Sequence, residues 1–262
     1  MTGTDYLLLR LYGPLASWGE VAVGELRHSA RHPSRSALLG LLGAALGVER
    51  GDEAAQAALN HGYRFGIKLQ ASGRMLRDYH TIQKGVPARR EVFRSRRQEL
   101  AAQKVETMLS EREYCCDSLA IVAVEALPGA PATLAELAAA LRQPCFTLYL
   151  GRKSCPLAAP LLPQLRHAAS LRQALDEAGW PSLLALLDTR QPQQDWPSLR
   201  DRQAFHLRQN LYYWEDGMQA GMAASFDIQR RNQPTSRTRW QFAPRREWVA
   251  QGNGRELRHQ EP

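Results

Sequence analysis

Little in this chain of 262 residues can form a covalent or metal cross-link: it has 4 cysteines, Cys115, Cys116, Cys145 and Cys155, with no C-x-x-C pair. So small a number excludes a disulfide framework and fits a reducing cytoplasm. None of the 7 histidines stands in H-E-x-x-H spacing and the carboxylates do not cluster as ligands, so neither a metallonuclease nor a cofactor is expected. Long apolar runs are missing too. A membrane helix needs ~18 consecutive apolar residues, and the start, MTGTDYLLLRLYGPL, offers only a short run broken by Arg10 and Gly13, which reads as a strand and not as a signal peptide. No repeat at a solenoid period is visible. LYLGRKSC, residues 148–155, invites comparison with a P-loop, but that motif needs glycine directly before its lysine and Arg152 stands there. Acid is absent between Asp227 and Glu247, an interval that holds Arg230, Arg231, Arg237, Arg239, Arg245 and Arg246 together with Trp240 and Phe242.

What is present is a foldable, basic chain. It is 44% hydrophobic and 23% charged, with 34 Lys+Arg against 26 Asp+Glu, a formal charge of +8 and a pI near 9.6. At about 150 residues per domain this length makes one large domain or two small ones. The excess positive charge favours polyanionic partners, although a basic enzyme without a nucleic-acid partner shows the same balance.

Tyr6–Tyr12 is an apolar run closed by Gly13-Pro14 and reads as a buried strand. The spacing of Leu38, Leu39, Leu42, Ala45 and Leu46 predicts a helix over 35–46, with Ser34 or Ser36 as cap and Gly47 as stop. A second helical piece, 52–59, precedes the alternating strand 63–69. Residues 118–125 (SLAIVAVE) read as a strand, 133–141 as a helix with Thr133 and Glu136 spaced for a capping box, and 146–150 as another strand. The order β-α-β-β-α-β is that of an α+β, ferredoxin-like (RRM-like) domain, expected over 1–155. Its second and third strands are separated by an insertion at about 73–116, too long for an ordinary hairpin connection. Residues 156–204 are expected to be a linker with helices over 165–178 and 181–187, and 205–262 a smaller, mostly β region.

Three places gather anion-binding groups. In RDYHTIQKGVPARREVFRSRR, residues 77–97, the six cations Lys84, Arg89, Arg90, Arg94, Arg96 and Arg97 fall within the fourteen residues 84–97 against a lone Glu91, a density suited to a phosphate backbone or else to a solvated helix face. Arg27, Arg31 and Arg35 surround the start of the first helix, where free N–H groups favour an anion; the plainer reading is that Ser34 or Ser36 only caps the helix, and both can hold together. Gly151 ends a predicted strand, and Arg152, Lys153 and Ser154 after it can turn tightly onto a phosphate. The second arginine run, interleaved with aromatics, suits unpaired bases, although Trp240 can equally be core. For catalysis His80 is the best single residue, with Tyr79 or Lys153 as partner in metal-free RNA cleavage; a histidine beside a tyrosine is more often a packed residue.

LLLRLYGPLASWGE, RHPSRSALLGLLGAALGVER, LRDYHTIQ, REYCCDS, LYLGRKSCPLAAPL and WQFAPRREWV resemble, in order, successive blocks of the Cas-five family subunit of type I-E CRISPR surveillance complexes (Cascade). The resemblance implies a repeat-associated, ferredoxin-like RNA binder that caps the 5′ handle of the crRNA. It implies an arginine-bearing hairpin, the thumb, over 77–112, reaching toward a Cas-seven family backbone subunit. It also implies contact with the large PAM-recognising subunit, foreign DNA bound through the assembled complex, a cytoplasmic location and no membrane role. RNA contacts are implied at Trp18, Arg27, Arg31, Ser34, Arg35 and Ser36, at Tyr79, His80, Thr81, Arg89, Arg90 and Arg94, at Arg112 and Tyr114, and at Gly151, Arg152, Lys153 and Ser154. No catalytic residue is implied. In type I-E systems another subunit cuts the crRNA, whereas a related type I-C subunit makes the cut itself, so a metal-independent endoribonuclease acting on repeat RNA is the alternative. A scaffold whose arginines meet acidic protein partners is the third reading.

Overall fold

The computed structural model describes residues 3–22, 24–88, 92–187, 195, 197–205, 207 and 210–252. Strand β1 (Thr4–Ala16) lies between two other strands and is buried on both faces, which is why its sequence is apolar almost without alternation. Short strands β2 (Trp18–Gly19), β3 (Leu26–Arg27) and β4 (Ser29–Ala30) precede helix α1 (Arg35–Leu46). Ser34 caps α1 by accepting from the Ala37 N–H, and Gly47 stops it at φ 76°; a cap of this kind is worth about 1 kcal/mol. Helix α2 (Glu53–Gly62), capped by Asp52, leads into β5 (Tyr63–Ala71). Then come β6 (Arg74–Gly85), the short α3 (Arg96–Leu100) and β7 (Val105–Ala126).

Two different pairings divide the 22 residues of β7. Its last third runs antiparallel between β1 and β5, Ala123 opposite Leu8 and Val122 opposite Ile67. Its first half pairs with β6 in a long hairpin, from Cys116 opposite Arg74 to Val105 opposite Gly85. Beyond β7 lie α4 (Leu134–Arg142), β8 (Gln164–Ala168), α5 (Leu171–Asp176), α6 (Leu183–Leu187), α7 (Leu199–Ala204), β9 (Leu211–Trp214), β10 (Phe226–Ser236) and β11 (Gln241–Gln251). β8 covers one edge of β1 and β9 covers the edge of β5, so the sheet runs β10-β11-β9-β5-β7-β1-β8. The architecture is mixed α/β around one large antiparallel sheet.

Strand alternation sends side chains to two cores. Leu7, Leu9, Leu11, Phe65, Ile67, Val122 and Val124 pack with Leu38, Leu39 and Leu42 of α1, Leu59 of α2 and Leu137 and Leu141 of α4. On the other face Tyr6, Leu8, Tyr12, Leu119 and Ile121 meet Leu171 and Leu175 of α5, Trp180, Leu183 of α6, Phe205 and Trp214. One carboxylate on that second face gathers two donors: Asp176 accepts at 2.6 Å from both the Lys68 ammonium and the Tyr212 hydroxyl, tying α5 to β5 and β9. The Arg10 guanidinium donates to the Pro181 carbonyl at 2.7 Å, and burial lowers its pKa to about 10.

Two expected elements differ. Residues 146–150 form no strand beyond a single bridge between Tyr149 and Pro156. Buried Leu148 and Leu150 alternate with exposed Phe146 and Tyr149, a strand-like pattern produced by a segment lying across the end of α1, where the Cys145 and Phe146 N–H groups donate to Ala45 and Ala44 carbonyls. The remaining strand beside β1 is β8, residues assigned by periodicity to a helix over 165–178. Pairing with the open edge of β1 overrides helix propensity there, and the helix begins only after Ser170, whose side chain caps α5. No described helix is long and apolar enough to cross a membrane.

Candidate nucleic-acid interface

At the end of β1 four separate pieces of sequence meet. Gly151 has φ 84°, and a Cβ there would stand 1.9 Å from the Ser17 carbonyl oxygen, so only glycine lets this loop close on the strand. The close approach places Arg152 over the ring of Tyr114 at 4.9 Å, where its guanidinium donates to the Glu113 carbonyl at 3.4 Å and the Arg27 carbonyl at 3.2 Å. Ser17 donates to the same Glu113 carbonyl at 3.0 Å. Trp18 is buried behind the loop, its backbone N–H donating to the Ser29 hydroxyl at 2.9 Å. Thus Trp18, Arg27, Tyr114, Gly151 and Arg152 come together, with Lys153 and Ser154 exposed beside them.

The start of α1 is built differently from the expected anion site. Ser34 is consumed as cap, and its hydroxyl lies 3.1 Å from that of Ser36. Arg35 is buried, paired with Glu215, and donates to the carbonyls of Asn60 and Tyr63. Arg31 remains exposed. Next to it lies a buried ionic cluster with no signal in the sequence: His32 stacks on Tyr213 at 3.7 Å and bonds Glu247 at 2.8 Å, and Glu247 also pairs with Arg230 and Arg245. Burial works to raise the Glu247 carboxyl, but the His32 hydrogen bond and the two arginines hold it at about 2. Burial lowers His32. His28, four residues earlier, instead pairs with Glu113 at 3.3 Å, so these histidines do not converge, and among the described residues no group of His, Cys, Asp and Glu could hold a metal.

Between β2, the first turns of α1, residues 147–151 and the turn from β10 to β11 lies a groove of about 1050 Å³. Its walls carry Arg27, Arg50, Arg231 and Arg237, the aromatics Tyr149, Trp240 and Phe242, and one carboxylate, Glu20. Strand alternation sorts the second arginine run: Arg230 and Arg245 point into the ionic cluster, whereas Arg231 faces the groove. Arg246 turns outward against Asp227 at 3.8 Å. Arg50 stands outside every basic run, and nothing in its sequence neighbourhood marked it.

The β6–β7 hairpin holds the remaining residues. Tyr79 is exposed, and His80 on the opposite face pairs with Asp78. Among the described residues no hydrogen bond or ion pair joins His80 to Tyr79 or Lys153. Thr81 and Arg94 are exposed, Arg112 half-buried, and Arg77 bonds Glu111 and Glu113, each at 3.4 Å. Arg89 and Arg90 lie outside the described residues.

The chain falls in a known class: the family model described as CRISPR-associated protein (Cas_Cas5) matches residues 6–247, and the chain belongs to that family. Within it, the chain is 38% identical over 179 residues to the CRISPR system Cascade subunit CasD of Escherichia coli (strain K12), covering 65% of this chain and 75% of that protein. A chain of a structure titled CRISPR RNA-guided surveillance complex superposes with a TM-score of 0.60 at 22% identity, over 98% of this chain and 97% of the other. A second, titled Crystal structure of Cas protein, gives 0.52 at 23% over 94% and 93%. These two likenesses establish the fold.

Proposed function

We propose that this protein is a non-catalytic subunit of a type I-E Cascade complex that caps the 5′ handle of the crRNA in the cytoplasm. The observation that carries the reading is the junction at Gly151, where Arg152, Tyr114 and Arg27 from distant parts of the chain meet at the rim of a cationic, aromatic-lined groove. Forked guanidiniums grip phosphates and exposed rings stack on unpaired bases, so this combination suits a single strand of RNA. Likeness to the Cascade subunit CasD supports the same assembly. We read β1, α1, β5, β7, α4 and β8, with strand order β5-β7-β1-β8, as the ferredoxin-like unit.

The β6–β7 hairpin is the thumb in this reading. Its exposed Leu76, Val92, Met108 and Leu109 suit a protein neighbour, the Cas-seven family backbone subunit, and its arginines the RNA between them. The large PAM-recognising subunit and, through the assembly, foreign DNA are the further partners. Holding is favoured over cutting because His80 is engaged by Asp78 and faces away from Tyr79 on the strand.

Titration of labelled single-stranded repeat RNA into the full chain at several salt concentrations tests the proposal. Log K should fall with log salt at roughly 0.7 per phosphate contacted. A flat response, or a discrete cleavage product formed in EDTA, would contradict it.

A further inference from the structure

The clamp at Gly151 leaves part of the second arginine run unused, at the turn joining β10 to β11. Trp240 closes that turn at φ 53°, in the left-handed region that strains a bulky residue. The conformation holds its ring out of the core: the indole is 59% exposed and lines the groove, with Arg50 lying over it at 3.9 Å and Phe242 6.2 Å away. Arg237 reaches the same wall, fixed by donation to the Ser36 carbonyl at 2.6 Å. Burial lowers its pKa, and the charge of Arg50 close by lowers it further. Glu53, a carboxylate beside the turn, is occupied by the Ser236 hydroxyl and the Thr238 N–H, at 2.9 and 2.8 Å. Among the described residues no carboxylate pairs with Arg50 or Arg237.

Two unneutralised guanidiniums beside an outward-held indole make a site for an anion that carries a flat ring. An acidic peptide would meet the charge but leave the indole surface that Arg50 does not cover open to water; an unpaired nucleotide meets both. We infer that Trp240, Arg50 and Arg237 form a subsite for one unpaired nucleotide of the guide RNA, its base stacked on the indole and its phosphate held by the guanidiniums. The inference rests on the groove being the guide's path and adds a contact point on the β10–β11 wall, away from the Arg152 clamp.

The strained backbone supplies the test. Trp240→Gly removes the ring but suits the positive φ, so the turn is kept; Trp240→Phe restores a stacking face. Fluorescence anisotropy of the full chain with labelled single-stranded repeat RNA should show Trp240→Gly weakening binding about tenfold. Trp240→Phe should recover most of the loss, and the melting temperature of Trp240→Gly should stay at or above that of the parent. If Trp240→Gly binds RNA as the parent does while Arg152→Ala is weakened, the subsite is wrong and the clamp stands. If the parent does not bind RNA, the guide reading falls and the subsite with it. Loss confined to single-stranded DNA of the same sequence, or to polyglutamate, with RNA binding intact, overturns the subsite in favour of a DNA strand or an acidic protein.

Discussion

The guanidinium of Arg152 lies over the ring of Tyr114 at 4.9 Å, joining a loop to a strand 38 positions away. Its donation to two carbonyls fixes a charge at the groove rim without neutralising it. Arg152→Ala should therefore weaken RNA binding by about tenfold or more, and Arg152→Lys should recover little, because an ammonium cannot keep the stack and both hydrogen bonds at once. Anisotropy with repeat RNA checks this, and recovery by lysine would show that charge alone matters.

Gly151 makes that placement possible. Gly151→Ala puts a Cβ 1.9 Å from the Ser17 carbonyl at a backbone φ of 84°. The variant should lose about 1–3 kcal/mol of stability in urea denaturation, and affinity should fall with it as Arg152 is displaced. A variant as stable as the parent would mean the loop relaxes freely.

The buried cluster predicts a defined pH response. Glu247 is 1% exposed and faces Arg230, Arg245 and His32. Its carboxyl falls from an ordinary 4.5 to about 2 on folding, so its contribution is complete above pH 4.5 and is lost as pH falls toward 2. Glu247→Gln should cost about 3 kcal/mol at pH 7, since the buried Arg230 and Arg245 lose the carboxylate they share and keep only longer pairs, to Glu20 at 3.6 Å and Glu215 at 3.7 Å. The gap to the parent should narrow between pH 4.5 and 2, where the parent carboxyl also takes up a proton. Denaturation curves across that range check it; a gap constant with pH would place the effect in packing.

Much of this was legible from sequence wherever a local signal coincided with a tertiary demand. The helix over 35–46 and the Thr133–Glu136 capping box appear as spaced, because cap, period and stop act within a few residues. β8 was not legible: it is a strand because β1 has an open edge, a fact located 160 residues earlier in the chain. Among the residues singled out for anion binding, Arg27 and Arg152 converge, while Arg35 resembles them in sequence yet is spent on Glu215, 180 positions away. Charge runs tell how many cations exist; only pairing tells which remain free for a ligand.

On the second face, Gly66 of β5 accommodates Leu171 of α5. A Cβ at Gly66 would come within 2.5 Å of the Leu171 methyl carbons. Gly66→Ala should cost about 1–3 kcal/mol by overpacking. In a Leu171→Ala background the same change should cost less, because the occupied space is gone, giving a favourable coupling on the order of 1 kcal/mol in a double-mutant cycle. Strict additivity would mean that α5 shifts on the sheet instead of resisting.

The β6–β7 hairpin allows assembly to be separated from folding. Met108 and Leu109 are 49% and 39% exposed, on successive positions of β7 and therefore on its two faces. Neither is buried in either core, so replacing each with Asp should leave the unfolding free energy of the free chain within about 0.5 kcal/mol of the parent. A residue that docks on a neighbouring subunit loses that contact when it becomes charged, and hot-spot positions cost about 2 kcal/mol or more. Co-expression with the other subunits and the guide should therefore recover markedly less Met108→Asp or Leu109→Asp chain in the assembled complex, with the more affected position showing which face of the hairpin meets the neighbour. Equal recovery of both variants would confine the role of the hairpin to its arginines and the RNA.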